Sequence, residues 1–318
     1  MSSAPSPDRP GSERISDLPP DAVVGRLLDA LFDRKQHPQL RDDLTELGNA
    51  WSPHELGEVY MAIKSMLTED GGAQFAAFAP MWSPLTNGPG AQYSRETLFD
   101  GTVLYCSAVK APVRPALVCF TSRVNGMFMP NCRFLELLGR HPVDIVINST
   151  ESGTFGLWNL AGAGSFAGSL RALKAVLAAR DIRPGAYAGA SAGGGPAVYA
   201  AMLDPGSAAV LFGCRFYVPG RNIPLADAGT AFEPICACWT GPKPQVHNIF
   251  GALQPIDLEN DQRLQALVPG AQSVPLAGDN THSPMVTLTA RRKLRPVLDL
   301  LVQAALGAPV NFAKVITP

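Results

Sequence analysis

Charge is scarce in this chain. Charged residues are 17% of the 318, and 26 Lys plus Arg nearly balance 27 Asp plus Glu, leaving a net charge of −1. That balance excludes the electrostatic footprint of a nucleic-acid binder or of a protein held on an anionic membrane, so no nucleic acid is expected as partner. The short basic run Arg291-Arg292-Lys293 reads as one solvated helix face. Long apolar runs are also lacking: none approaches the length of a membrane helix, and no membrane span is expected. Residues 1–17, rich in Ser, Pro and charge without an apolar segment, read as a disordered leader rather than a secretory signal. The six cysteines (Cys106, Cys119, Cys132, Cys214, Cys236, Cys238) are scattered through apolar sequence. They suit reduced core positions and a cytoplasmic protein better than a disulfide framework. Cys236-Ala-Cys238 lacks the two-residue spacer of a metal or redox pair and has no second pair beside it, so no metal is expected. Gly162-Ala-Gly164-Ser-Phe-Ala-Gly168 has the wrong spacing for a dinucleotide loop, and no cofactor is expected either.

What is present is apolar sequence, 46% of the chain, enough for one large core and an appendage. Residues 18–70 carry helical patterns. In Asp21–Arg34, the apolar residues Val24, Leu27, Leu28 and Leu31 recur at helical spacing. Ser52-Pro53-His54-Glu55 is a capping box ahead of Leu56, Tyr60, Ile63 and Met66. Gly and Pro then crowd residues 71–93, which read as a linker. From residue 94 the pattern changes to strands at Glu96–Phe99, Thr102–Val109, Ala116–Phe120, Val143–Asn148, Ala186–Ala190, Ala208–Gly213, Val246–Gly251 and Ser273–Leu276. Asp100-Gly101 is a hairpin signal, whereas most later strands are separated by crossover-length segments such as Phe166–Ala179, whose Phe166, Leu170, Leu173 and Leu177 mark one face. The expected class is α/β: a mostly parallel eight-stranded sheet with an antiparallel start and flanking helices. The expected organisation is a leader at 1–17, helical appendage and linker at 18–93, and the sheet domain at 94–318.

Ser191 lies in Gly189-Ala190-Ser191-Ala192-Gly193, after an apolar run and before a small-residue stretch that can form a helix. A serine on a tight strand-to-helix turn needs residues without bulk two positions on either side, where the backbone doubles back. The spacing alone arises in roughly one shuffled sequence in six of this composition, so context must support it. A serine hydroxyl needs a base to take its proton and a third group to orient that base. Of the five histidines, His37 and His54 fall in the appendage, His141 precedes the fourth strand and His247 lies inside a strand. His282 alone occupies a loop after the last strand. For the acid, the carboxylates following strand seven are Asp257, Glu259 and Asp261. Asp257, in the turn before a helix expected at Asn260–Leu267, is preferred. Asp261, better placed to stabilise that helix's first turn, is the alternative. Asp279 lies too close in sequence to His282.

With Ser191 after strand five, Asp257 after strand seven and His282 after strand eight, residues 94–306 resemble the α/β-hydrolase superfamily, in which the order is Ser, Asp, His. The resemblance implies an oxyanion hole from the Ala192 N–H and a second donor within Thr121-Ser122-Arg123, with Ser122 and Arg123 the candidates. This loop departs from the usual His-Gly start. The resemblance also implies a cap at 214–244. Met127, Phe128, Trp158 and Trp239 are candidate pocket residues, suited to an apolar acyl group. Arg123, Arg215 and Arg221 could instead receive an anionic group, although surface placement suits each. The implied function is a serine hydrolase acting on a small-molecule acyl ester or thioester. The alternatives are an acyltransferase with the same triad and a non-catalytic hydrolase-fold interaction module. The helices of residues 18–70 would pack on the same chain or join two chains in a homodimer.

Overall fold

A computed structural model describes residues 14–67, 92–99, 101–111, 114–122, 126–149, 163, 165–215 and 239–316. The chain divides into two compact units, Met1–Gly90 and Ala91–Pro318.

The first unit holds α1 (Pro20–Phe32), α2 (His37–Ala50) and α3 (Pro53–Met66). Val24, Leu27 and Leu31 of α1 are buried, as are Leu40, Leu44 and Leu47 of α2 and Leu56, Tyr60 and Ile63 of α3. Each set recurs every three or four residues, so each helix turns one stripe inward. Met66, the last residue of α3, is exposed. The capping box forms: the Ser52 hydroxyl accepts from the Glu55 N–H, and the Ser52 N–H donates to the Glu55 carboxylate at 2.8 Å. Arg26 of α1 reaches the buried Asp43 of α2 through two hydrogen bonds of 2.9 and 2.7 Å, a fork geometry that joins the two helices. Of the expected leader, residues 14–17 instead belong to this unit. Ile15 is fully buried, and the Ser16 carbonyl accepts from the Trp51 indole N–H.

The second unit is one eight-stranded sheet in the order β1-β2-β4-β3-β5-β6-β7-β8. Its strands are β1 (Tyr93–Phe99), β2 (Thr102–Ser107), β3 (Arg114–Phe120), β4 (Asp144–Asn148), β5 (Ile182–Ala190), β6 (Ala208–Phe212), β7 (Gln245–Gly251) and β8 (Gln272–Leu276). Pairing is antiparallel from β1 to β2 and from β2 to β4, and parallel across the rest. Alternation along β3 shows how the strands serve two layers at once. Leu117 and Cys119 enter one core, and Ala116, Val118 and Phe120 enter the other. The first core is shared with α4 (Asn131–Leu138), α8 (Pro284–Ala290), α9 (Leu294–Ala305) and α10 (Phe312–Ile316). The second is shared with α5 (Phe166–Ala178), α6 (Gly194–Leu203) and α7 (Pro255–Leu267). All four expected apolar residues of α5 are buried, and Ser165 caps it by accepting from the Gly168 N–H.

Three expectations need correction. β5 begins at Ile182 rather than Ala186. Its register against β3 slips at Gly185, where a side chain would stand 1.8 Å from the Ala305 carbonyl oxygen; a turn-like Pro-Gly pair here marks a bulge and a close helix. α7 begins at Pro255, so Asp257 lies in its first turn rather than in a preceding loop. Arg291-Arg292-Lys293 is no helix face: it is the turn between α8 and α9, with Arg292 at φ 56°. The expected cap lies mostly outside the described residues, at 216–238.

Candidate active site

The parallel strands deliver the chain to one edge of the sheet, where β5 ends at Ala190 and α6 begins at Gly194. Ser191 lies between them with φ 51°, a left-handed backbone that a residue with a side chain rarely adopts. Close approach explains the flanking glycines. A β-carbon on Gly189 would stand 2.4 Å from the Gly193 carbonyl oxygen, and one on Gly193 would stand 2.1 Å from the Phe120 carbonyl oxygen at the end of β3. The elbow is wedged between its own strand and the neighbouring one.

His282 follows β8 in a loop pinned from two directions. Asp279 accepts from the Thr281 N–H through its carboxylate and from the Leu253 N–H through its carbonyl, at 2.9 and 2.7 Å. The first bond tightens the loop and the second ties it to the segment after β7. The His282 ring then spans the other two residues: Nδ1 lies 2.8 Å from Asp257 Oδ1, and Nε2 lies 2.7 Å from Ser191 Oγ. An ionised carboxylate only accepts, so Nδ1 carries the proton and Nε2 accepts from the serine hydroxyl. Asp257 is fully buried. Asp261, one turn later on α7, faces elsewhere, accepting from Asn248 of β7 at 2.8 Å and from Ser273 of β8 at 2.6 Å. It ties the helix to two strands.

Ala192, next after Ser191, is buried in the turn. The Ser122 N–H donates to the Gly126 carbonyl at 3.0 Å, and the Thr121 N–H donates to that of Asn148 at 3.1 Å, so neither amide is available to an oxyanion. Ser122 is thereby corrected as a donor, and Arg123 lies outside the described residues. Among the expected pocket residues, Met127 is fully enclosed in the core, which removes it from a pocket wall. Phe128 is half-buried at φ 61°, its ring edge-on to His282 with centroids 5.3 Å apart. Trp239 packs against the α5–α6–α7 layer, and Trp158 and Arg221 lie outside the described residues.

The three residues after β6 support the site in ways that composition and spacing do not signal. Gly213, at φ 55°, brings its backbone so close to His282 that a β-carbon would lie 3.3 Å from the ring. Cys214 packs on Gly194. Arg215 donates its backbone N–H to the Ser191 carbonyl at 3.0 Å and sets its side-chain Nε 3.5 Å from Asp257 Oδ1. Arg215 is therefore not a surface residue: its side chain is 20% exposed. Cys119 and Cys132 supply no nucleophile here. Burial pushes the Cys119 thiol far up and the Cys132 thiol up to about 12, which keeps both inert. No cluster of His, Cys, Asp or Glu among the described residues has a metal-binding arrangement.

The sequence matches no family model and no curated protein. Solved structures do match in shape. A 2,6-dihydroxy-pseudo-oxynicotine hydrolase aligns over 95% of this chain and 92% of its own, at TM-score 0.50 and 14% identity. An esterase of Pyrobaculum calidifontis aligns over 79% and 97%, also at TM-score 0.50 and 14% identity. The chain has the α/β-hydrolase fold. Along the sheet, Ser191 stands in the turn after β5, Asp257 in the first turn of the helix after β7 and His282 in the loop after β8. No helix among the described residues is long and apolar enough to cross a membrane.

Proposed function

We propose that the protein is a serine hydrolase that cleaves a carboxylic ester or thioester through an acyl-enzyme on Ser191. The observation that carries this reading is the unbroken hydrogen-bonded line from Asp257 through His282 to a serine held in a strained turn. A scaffold kept only for binding has no need of that strain. Ser191 Oγ adds to the carbonyl carbon as its proton passes to His282 Nε2, and the Ala192 N–H faces the developing oxyanion. The carbon–oxygen or carbon–sulfur bond then breaks, and His282 returns the proton to the departing alcohol or thiol. Water repeats the sequence, giving its proton to His282 and releasing the acid. Asp257 keeps Nδ1 protonated and stabilises the imidazolium. The Pyrobaculum calidifontis protein of the same fold is an esterase, in keeping with ester chemistry here. The free thiols of Cys106, Cys119 and Cys132 suit the reducing cytoplasm.

A fluorophosphonate probe tests the reading. Labelling of the wild-type chain, its loss in Ser191→Ala and a fall of about a thousandfold or more in p-nitrophenyl ester turnover are expected. Unchanged turnover in a folded Ser191→Ala variant refutes it.

A further inference from the structure

Arg215 is an unusual neighbour for a triad acid. Its side chain is four-fifths buried, being 20% exposed, and is joined to the site at both ends. The backbone N–H holds the Ser191 carbonyl, and Nε faces the same Asp257 Oδ1 that receives the His282 proton. Yet Nε is buried without a hydrogen-bond partner, because at 3.5 Å its contact with Asp257 is an ion pair longer than a hydrogen bond. A guanidinium has five N–H donors, and leaving such donors enclosed and unspent is costly. Since Nε is buried, the exposed fifth of the side chain lies elsewhere along it. A long cation fixed to the elbow with unspent donors is arranged for an acceptor that arrives with the substrate.

Resting on the serine-hydrolase reading, we infer that Arg215 is a specificity residue and that the preferred substrate is an ester bearing a carboxylate near its scissile bond. A carboxylate fits better than a phosphate dianion because Arg215 is the cation that, among the described residues, is paired with the triad, and Asp257 already offsets part of its charge. The planar fork of the guanidinium matches a carboxylate with two parallel hydrogen bonds. This contact would place the substrate relative to Ser191 without taking part in proton transfer.

The experiment compares carboxylate esters with methyl-capped counterparts, each rate corrected for hydroxide-catalysed hydrolysis. One arm puts the charge on the acyl side (p-nitrophenyl hydrogen adipate against its methyl ester). The other puts it on the alcohol side (4-acetoxybenzoate against its methyl ester). In at least one arm the wild-type chain should favour the free carboxylate in kcat/KM by roughly tenfold to a hundredfold, the worth of a charged hydrogen bond. Arg215→Met should abolish that preference, the free carboxylate ester losing roughly tenfold to a hundredfold more kcat/KM than its capped counterpart. A wild-type chain with no preference in either arm overturns the inference, even if Arg215→Met fails to fold. An equal fall on capped and free esters overturns it too, because that marks a purely supporting role for the triad. Failure of the serine-hydrolase reading is a separate result: turnover of the capped esters would then survive Ser191→Ala.

Discussion

His247 and His282 are similar side chains in opposite surroundings, and the difference decides what each can do. His282 keeps 21% of its side chain exposed and has a carboxylate at one nitrogen and a hydroxyl at the other. His247, on β7, is fully buried, with its ring centroid 5.0 Å from that of Phe312. Burial lowers its pKa from the ordinary 6.5, with the Gln272 side chain on β8 working against that shift. The unfolded chain therefore takes up a proton near pH 6.5, whereas the folded chain holds this ring neutral to lower pH. The stability from a neutral His247 is complete above pH 6.5 and is lost as pH falls from there through the lowered value. One proton sets a limiting slope of about 1.4 kcal/mol per pH unit. Urea unfolding at pH 7.5, 6.5 and 5.5 should show the wild-type chain losing stability relative to His247→Leu as pH falls. A difference that stays constant across the three values contradicts this account.

At the scale of elements, α7 shows how one helix serves both site and fold. Its carboxylates at positions 257 and 261 are four residues apart, yet Asp257 meets the imidazole while Asp261 joins Asn248 and Ser273 on two strands. Asp257→Asn should lower kcat about 10³–10⁴-fold, because an amide can no longer fix the tautomer. Asp261→Asn should leave kcat within about threefold and cost roughly 1–2 kcal/mol, since an amide turns a donor toward one of its two partners. Equal effects on rate would place the orienting acid elsewhere. Much of this was legible beforehand. The order Ser191, Asp257, His282 and the strand periodicity carry through to the sheet because both arise from local pattern and chain order. Other features depend on contacts between residues distant in sequence. Pro184-Gly185 looks like a turn until α9 is found lying against it. Pro255 reads equally as a loop residue or a helix start. Arg215 looks like an ordinary surface cation until Gly213 carries the chain past His282 and back onto the elbow.

At the scale of the molecule, the question is whether the Met1–Gly90 unit contributes to the chemistry. Among the described residues, every paired strand, both large cores and all three residues of the hydrogen-bonded line belong to Ala91–Pro318. The supports of that line, Gly213, Phe128, Asp279 and Arg215, belong there too. The helical unit has its own buried stripes, its own capping box and its own Arg26–Asp43 pair. We therefore propose it as an accessory element, whether it packs on the same chain or joins two copies. The chain from Ala91 onward should fold, label at Ser191 with a fluorophosphonate and retain p-nitrophenyl ester turnover within about tenfold of the full-length protein. Solution masses of the two forms would show whether the helices make a dimer: a full-length dimer beside a monomeric truncation assigns them that role, and two monomers assign them to their own chain. A truncated chain that remains folded but no longer labels would mean that the helices shape the pocket, and the accessory assignment would then fall.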